Sequence, residues 1–236
     1  MTAPLSTKVR LAVFDVAGTT VLDGDAVLDC LKGVLADWRV SVSPQDVREV
    51  MGLPKPLAIR HLLTLRSTLR GEALDTASDE MHQAFRARMV ERYRKDGAIA
   101  PAEGALSVFS ALRRAGVRVV LDTGFSRDIL DAVLVRLDWA DGATVDLSIA
   151  SDEIERGRPH PDIILRAMSL LHLTDPEGVV KIGDTPADLE QGLSAGCGVV
   201  VGVTYGTHTR QQLDRPGVHI IDRLPDLLPL LGLEAA

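Results

Sequence analysis

Leu11-Ala12-Val13-Phe14-Asp15-Val16-Ala17-Gly18-Thr19-Thr20 runs from an unbroken apolar segment into a single carboxylate and then into a Gly-Thr-Thr turn. An apolar run with no polar alternate positions suits a strand buried on both faces, as in a parallel sheet covered by helices. An aspartate at the carboxyl end of such a strand lies on the edge where open α/β sheets bind ligands. Taken alone, Asp15 is more simply read as a turn cap.

Working outward, short β-branched runs alternate with amphipathic stretches. Strands are predicted at residues 9–15, 117–122, 145–150, 179–184 and 198–203, with 219–222 at an edge. Helices are predicted at 102–115, 127–137, 161–171 and 186–195, with Gly116 and Gly196 at C-cap positions. This alternation predicts a Rossmann-like, doubly wound parallel sheet of the α/β class. Residues 25–96 break it, showing only helical periodicity at 26–38, 44–51, 56–70 and 76–95. Helices inserted after a first strand read as a separate all-helical domain, so the core is discontinuous: 1–22 with 98–236, and 23–97 as the insert. Residues 224–233 read as a final docking helix.

The 236 residues are 46% hydrophobic and 25% charged, with a net charge of −7 and both signs interspersed. That describes a globular chain without the basic stripe a nucleic acid needs, so no nucleic-acid partner is expected. Cys30 and Cys197 have no metal-ligand or CxxC spacing and read as buried reduced thiols in a cytoplasmic protein. Residues 1–8 lack a leader's apolar region, and no apolar run reaches the ~18 residues that span a bilayer. Neither secretion nor membrane insertion is expected.

Three further segments bring chemistry to the strand ends. Gly183-Asp184-Thr185-Pro186-Ala187-Asp188 adds two carboxylates, the second at a helix start. Asp15 and Asp184, with the Ala17 backbone carbonyl, form the hard-oxygen set that Mg²⁺ prefers. Asp188 would orient metal-bound water, or else complement the helix dipole. Thr123 and Gly124, closing the second strand, offer a hydroxyl and an amide to a phosphoryl oxygen. Arg158, in Gly157-Arg158-Pro159-His160-Pro161-Asp162, is a fixed cation that would hold carboxylate and phosphoryl group together. His160 reads as a turn residue.

In this order the four segments resemble the motifs of the haloacid dehalogenase superfamily, over the whole chain and including an all-helical cap after the first strand. The resemblance implies Mg²⁺ as cofactor, a small phosphorylated or phosphonate substrate, and attack of Asp15 on phosphorus to form an aspartyl-phosphate. It implies catalytic roles for Asp15, Thr123, Arg158 and Asp188, and substrate contacts from Ala17, Gly18, Thr19, Met51 and Gly124. It also implies a cap hinged near 22–24 and 97–101, and it admits a homodimer formed through the cap.

Position 17 selects the branch. Phosphatases of the superfamily usually carry a second aspartate there, because an alkoxide leaving group needs a proton. Ala17 has none to give. A carbanion leaving group needs an electron sink instead, and a lysine Schiff base supplies one. Met51-Gly52-Leu53-Pro54-Lys55 resembles the segment from which phosphonoacetaldehyde hydrolases supply that lysine, and Asp15 to Thr20 resembles their nucleophile segment. Lys55 is one of only five lysines among 26 basic residues, so its placement at the matching position is not easily accidental. Two positions depart from the pattern: Ala58 replaces a histidine and Phe125 a tyrosine. The alternatives are hydrolysis of a small phosphate ester such as phosphoglycolate, and a silent binding protein. The intact Asp15, Thr123, Arg158 and Asp184 argue against silence. Haloacid dehalogenation needs no metal site.

Overall fold

A computed structural model of the chain describes residues 9–95 and 99–233. Residues 1–8, Gly97 at one expected hinge, and the expected 97/98 boundary lie outside the described residues. Six parallel strands form the core sheet: β1 (Leu11–Asp15), β4 (Arg118–Asp122), β5 (Leu147–Ile149), β6 (Val179–Gly183), β7 (Val199–Val203) and β8 (Val218–Ile221), in the order β5-β4-β1-β6-β7-β8. Two short strands, β2 (Val21–Leu22) and β3 (Ala100–Pro101), pair antiparallel where the chain leaves and re-enters the core. Two residues carry no periodicity, so the sequence alone does not predict this pair.

Alternate residues of β1 serve different cores. Ala12 and Phe14 join one apolar cluster, Leu11 and Val13 the other. The strand is therefore buried on both faces, with helices α5 (Ala105–Arg114), α6 (Arg127–Leu137), α7 (Asp162–Leu170), α8 (Pro186–Ser194) and α9 (Arg210–Leu213) in the connections. Phe14 meets Phe109 of α5 edge to face at 5.2 Å, and Phe109 meets Trp139 at 5.5 Å. Burying such a side chain contributes about 1.5–3 kcal/mol, which holds the strand bearing Asp15 in place.

The insert contains α1 (Ala26–Asp37), α2 (Pro44–Glu49), α3 (Lys55–Arg66) and α4 (Gly71–Lys95). The predicted third helix ran to residue 70, but α3 stops at Arg66. The Ser67 hydroxyl donates to the Leu63 carbonyl and the Ser67 backbone turns extended, so 67–70 form a bridge to α4, which starts at Gly71 rather than 76. The expected final helix is also divided. Pro225 and Pro229 limit it to a 3₁₀ turn at Leu224–Asp226 followed by α10 (Leu227–Leu230). Cys30 is buried as expected, whereas Cys197 is half-buried because it follows the helix-ending Gly196 at the sheet's amino edge; both are free. Among the described residues no helix is long and apolar enough to cross a membrane.

Candidate active site

Strand register assembles the site. Asp15 pairs with Asp122 across β1 and β4, and Phe14 with Ile182 across β1 and β6. The residues just beyond these strands, Thr123 on one side and Asp184 on the other, therefore flank Asp15. Helix α8 then starts with a capping box: the Thr185 hydroxyl donates to Asp188 Oδ2 at 2.6 Å and accepts from the Asp188 amide at 3.3 Å. Asp188 thus caps its helix with one oxygen, while the other, Oδ1, turns toward Arg158 and Lys181. Only glycine fits at 183, where a Cβ would lie 2.2 Å from Asp188 Cγ.

Arg158 is 1% exposed and gathers three carboxylates. Its Nη2 lies 2.6 Å from Asp15 Oδ1 and 3.0 Å from Asp122 Oδ1, and its Nη1 lies 2.7 Å from Asp188 Oδ1. Lys181, in the middle of β6 and fully buried, pairs with Asp122 Oδ1 at 2.5 Å and Asp188 Oδ1 at 3.0 Å. Asp184 is held separately. Its Oδ2 accepts from the Thr207 amide at 2.6 Å, and its Oδ1 from the Thr19 hydroxyl at 3.3 Å. Tyr205 fastens the same loop by donating to the Thr19 carbonyl at 2.7 Å.

These contacts set the electrostatics. Burial raises the Asp15 carboxyl to about 8; Arg158 opposes the rise, and Asp188 and Asp184 add to it. Asp184 is raised by burial and by repulsion from Asp188. Asp188 is held below the usual carboxylate range by Arg158 and Lys181, which overcome its burial. Four buried carboxyl groups thus face the two buried cations of the floor, and with all four ionised the floor would carry an excess of two negative charges. Asp15, Asp184 and Asp188 bring ligand oxygens within 4.8 Å of one another. An all-carboxylate, buried and over-negative donor set fits a divalent cation that prefers oxygen. Of the three, Asp188 is the one paired with both Arg158 and Lys181, whereas Asp15 meets only Arg158, and Asp184 accepts hydrogen bonds from Thr207 and Thr19.

The insert closes the site from above. Asp15, Ala17, Met51, Lys55, Thr123, Gly124, Phe125 and Arg158 all border one cavity of about 20 Å³, little more than a water molecule needs. Thr19 is not among the lining residues, since its side chain is fully buried against Asp184; Gly18 lines an adjoining cavity of about 420 Å³ that shares Ala17, Met51 and Thr207. Lys55 is 4% exposed at the start of α3. Its Nζ donates to the Leu53 carbonyl at 3.2 Å and sits 5.4 Å from the Phe125 ring centre. Burial, then Arg158, lowers its ammonium to about 8 against the opposing pull of Asp15. Ala58 is fully buried on the same helix and offers no polar atom. A cavity of about 680 Å³ beside Arg113, Arg118 and Asp146 lies at the opposite end of the strands.

A sequence model described as haloacid dehalogenase-like hydrolase matches residues 9–196. The chain belongs to this family of hydrolases. Phosphonoacetaldehyde hydrolase from Bacillus cytotoxicus is 30% identical over 210 residues, covering 83% of this chain and 77% of the relative. Its namesake from Bacteroides fragilis is 30% identical over 232 residues, covering 93% and 87%. These relatives place this hydrolase on the phosphonatase-like branch. Among solved structures, a phosphonoacetaldehyde hydrolase like protein from Oleispira antarctica superposes with a TM-score of 0.79 at 21% identity, covering 98% of this chain and 94% of that one. A structure described as a predicted phosphoglycolate phosphatase from Haemophilus somnus gives 0.76 at 19% identity, covering 95% and 99%. Identities this low speak for the fold alone.

Asp122, Lys181, Thr185, Tyr205 and Thr207 were not singled out from sequence. Lys181 carried a signal, as a lone charge inside Val179-Val180-Lys181-Ile182, which reads as a buried strand. Gly52 gives a test of the closed insert. It has φ +84°, and a Cβ there would lie 2.2 Å from Thr185 Oγ1 across the gap to the core. Gly52→Ala is expected to lower kcat/KM by about 100-fold by holding the insert off the core, with a thermal midpoint lower by roughly 2–4 °C from the strain of a Cβ at positive φ; steady-state kinetics and a melting curve check it.

Proposed function

We propose that this hydrolase is a magnesium-dependent, phosphonatase-like enzyme that cleaves the P–C bond of phosphonoacetaldehyde or a related phosphonate. Residues 23–97 would act as its cap. The observation that carries this reading is the meeting of Lys55, from the insert, with Asp15 in one cavity where position 17 supplies no acid.

The Lys55 amine condenses with the aldehyde, releasing water and giving a protonated imine. Asp15 attacks phosphorus, and the P–C bonding pair moves into the imine, leaving an enamine and an aspartyl-phosphate. Protonation of the enamine at carbon and its hydrolysis give acetaldehyde, and water opens the aspartyl-phosphate to phosphate. Magnesium, held by Asp15, Asp184 and the Ala17 carbonyl, would offset the charge that gathers between nucleophile and phosphoryl oxygens. Thr123 and the Gly124 amide face the phosphoryl group, Met51 closes over it, and Arg158 holds Asp15 beside it. With only about 20 Å³ free, substrate enters when the cap lifts, and closure then excludes water.

One observation favours a second reading. Among the described residues the Lys55 amine donates to a backbone carbonyl, with Ala58 and Phe125 where polar groups would assist imine chemistry. On that reading Lys55 is a fixed charge and the substrate is a small phosphate ester such as phosphoglycolate.

The two separate by assaying acetaldehyde and phosphate together. Phosphonoacetaldehyde cleavage predicts equal amounts of both. The neutral amine attacks, and its ammonium is lowered to about 8; with Asp15 kept ionised by bound metal, kcat/KM should climb roughly tenfold per unit below that value and level above it. Phosphate release from esters with no acetaldehyde from the phosphonate would instead establish the second reading.

A further inference from the structure

Asp122 and Lys181 take no part in the reaction just described, yet both are fully buried at its centre. Burying a charge pair is rarely favourable against apolar residues of the same volume, so a retained pair calls for a role. Together with Arg158 and Asp188 they close a ring of alternating sign. Arg158 Nη2 meets Asp122 Oδ1 at 3.0 Å, Asp122 Oδ1 meets Lys181 Nζ at 2.5 Å, Lys181 Nζ meets Asp188 Oδ1 at 3.0 Å, and Asp188 Oδ1 meets Arg158 Nη1 at 2.7 Å. The ring is neutral in itself, and the two negative charges left over belong to Asp15 and Asp184.

Its geometry dictates how Arg158 faces the site. Nη2 is further fixed by the Asp122 backbone carbonyl at 2.9 Å, and from that position reaches Asp15 at 2.6 Å. Nη1 is taken by Asp188. The remaining donor, Nε, is buried and without a hydrogen-bond partner. Without Lys181, Asp122 and Asp188 would each have only Arg158 to neutralise them, and the guanidinium would be drawn toward both and away from Asp15.

We propose that Asp122 and Lys181 are positioning residues: Asp122 holds one arm of the Arg158 fork, and Lys181 shares the charge of Asp122 and Asp188, which hold the two arms, so that Nη2 meets the nucleophile and Nε is left for a phosphoryl oxygen. The inference rests on Asp15 being the nucleophile. It also assigns Asp188 to the ring and not to the metal.

The test is the double variant Asp122→Asn with Lys181→Met, which removes one charge of each sign. Three quantities are compared with wild type: the thermal midpoint, kcat and KM for phosphate release, and half-saturation by orthovanadate as a phosphoryl mimic. Outer partners of this kind are worth about 10–100-fold. The expected result is an unchanged midpoint, kcat lower by that factor, KM within about threefold, and weaker vanadate binding. An unchanged midpoint with kcat and vanadate binding also unchanged overturns the proposal and leaves the pair a structural one. If the double variant does not fold, Asp122→Asn alone, which keeps the shape, is read by the same criteria. If wild type itself releases no phosphate, it is the nucleophile reading that has failed. The ring is then judged in a crystal structure of the variant, where Arg158 still within about 3 Å of Asp15 rejects it.

Discussion

Asp15→Asn is expected to reduce phosphate release by about 10⁴-fold or more, from phosphonates and phosphate esters alike. The amide keeps the shape of the carboxylate and can still accept from Arg158, now 2.6 Å from Asp15 Oδ1, but it cannot attack phosphorus. The loss should not be one of folding. The Asp15 carboxyl is raised from 3.8 to about 8 in the metal-free chain, chiefly by burial. A carboxyl raised in the folded state favours folding most while protonated, and that advantage is lost as pH climbs from about 4 to about 8. At neutral pH in chelator the Asn variant, which has no charge to bury, should therefore melt no lower than wild type. Assays with both substrate classes, beside melting curves in chelator, check this. Activity retained by the variant would remove Asp15 from the mechanism.

Lys55→Arg separates the two substrate classes. Arginine keeps the positive charge beside Phe125 and Asp15 but stays protonated and forms no imine. Acetaldehyde production from phosphonoacetaldehyde should fall by about 10³-fold or more, because the departing carbanion loses its electron sink. Hydrolysis of phosphate esters, which asks only for Asp15 and its metal, should change by no more than a few-fold. Equal losses on both substrates would show that Lys55 acts by charge or packing. A coupled acetaldehyde assay run beside phosphate release reads both.

The parts of this molecule visible in its sequence are those with a local signature. Leu11 to Thr20 announces a doubly buried strand ending in a carboxylate, and Gly183 to Asp188 announces a strand, a turn and a helix cap. The sheet and helices follow because each strand is an apolar run closed by a turn. Less visible were features made by contacts distant in sequence. Asp122 stands next to Thr123 and reads as a turn residue until Lys181, 59 positions away, is brought onto it. Thr19 looks available to substrate until the fold turns its hydroxyl onto Asp184, 165 positions away. Where α3 stops depends on the Ser67 hydroxyl capturing the Leu63 carbonyl, a choice that helical periodicity does not record. Lys55 lies between the two cases. Its segment could be picked out from sequence, but the burial that lowers its ammonium to about 8 arises only when the insert meets the core.

Cleavage of the P–C bond turns on a covalent bond between Lys55 and the carbonyl carbon of the substrate. Borohydride added to wild-type enzyme during turnover of phosphonoacetaldehyde should inactivate it and leave an N-ethyl group on the peptide containing Lys55. Full activity after the same treatment, with that peptide unmodified, would contradict it.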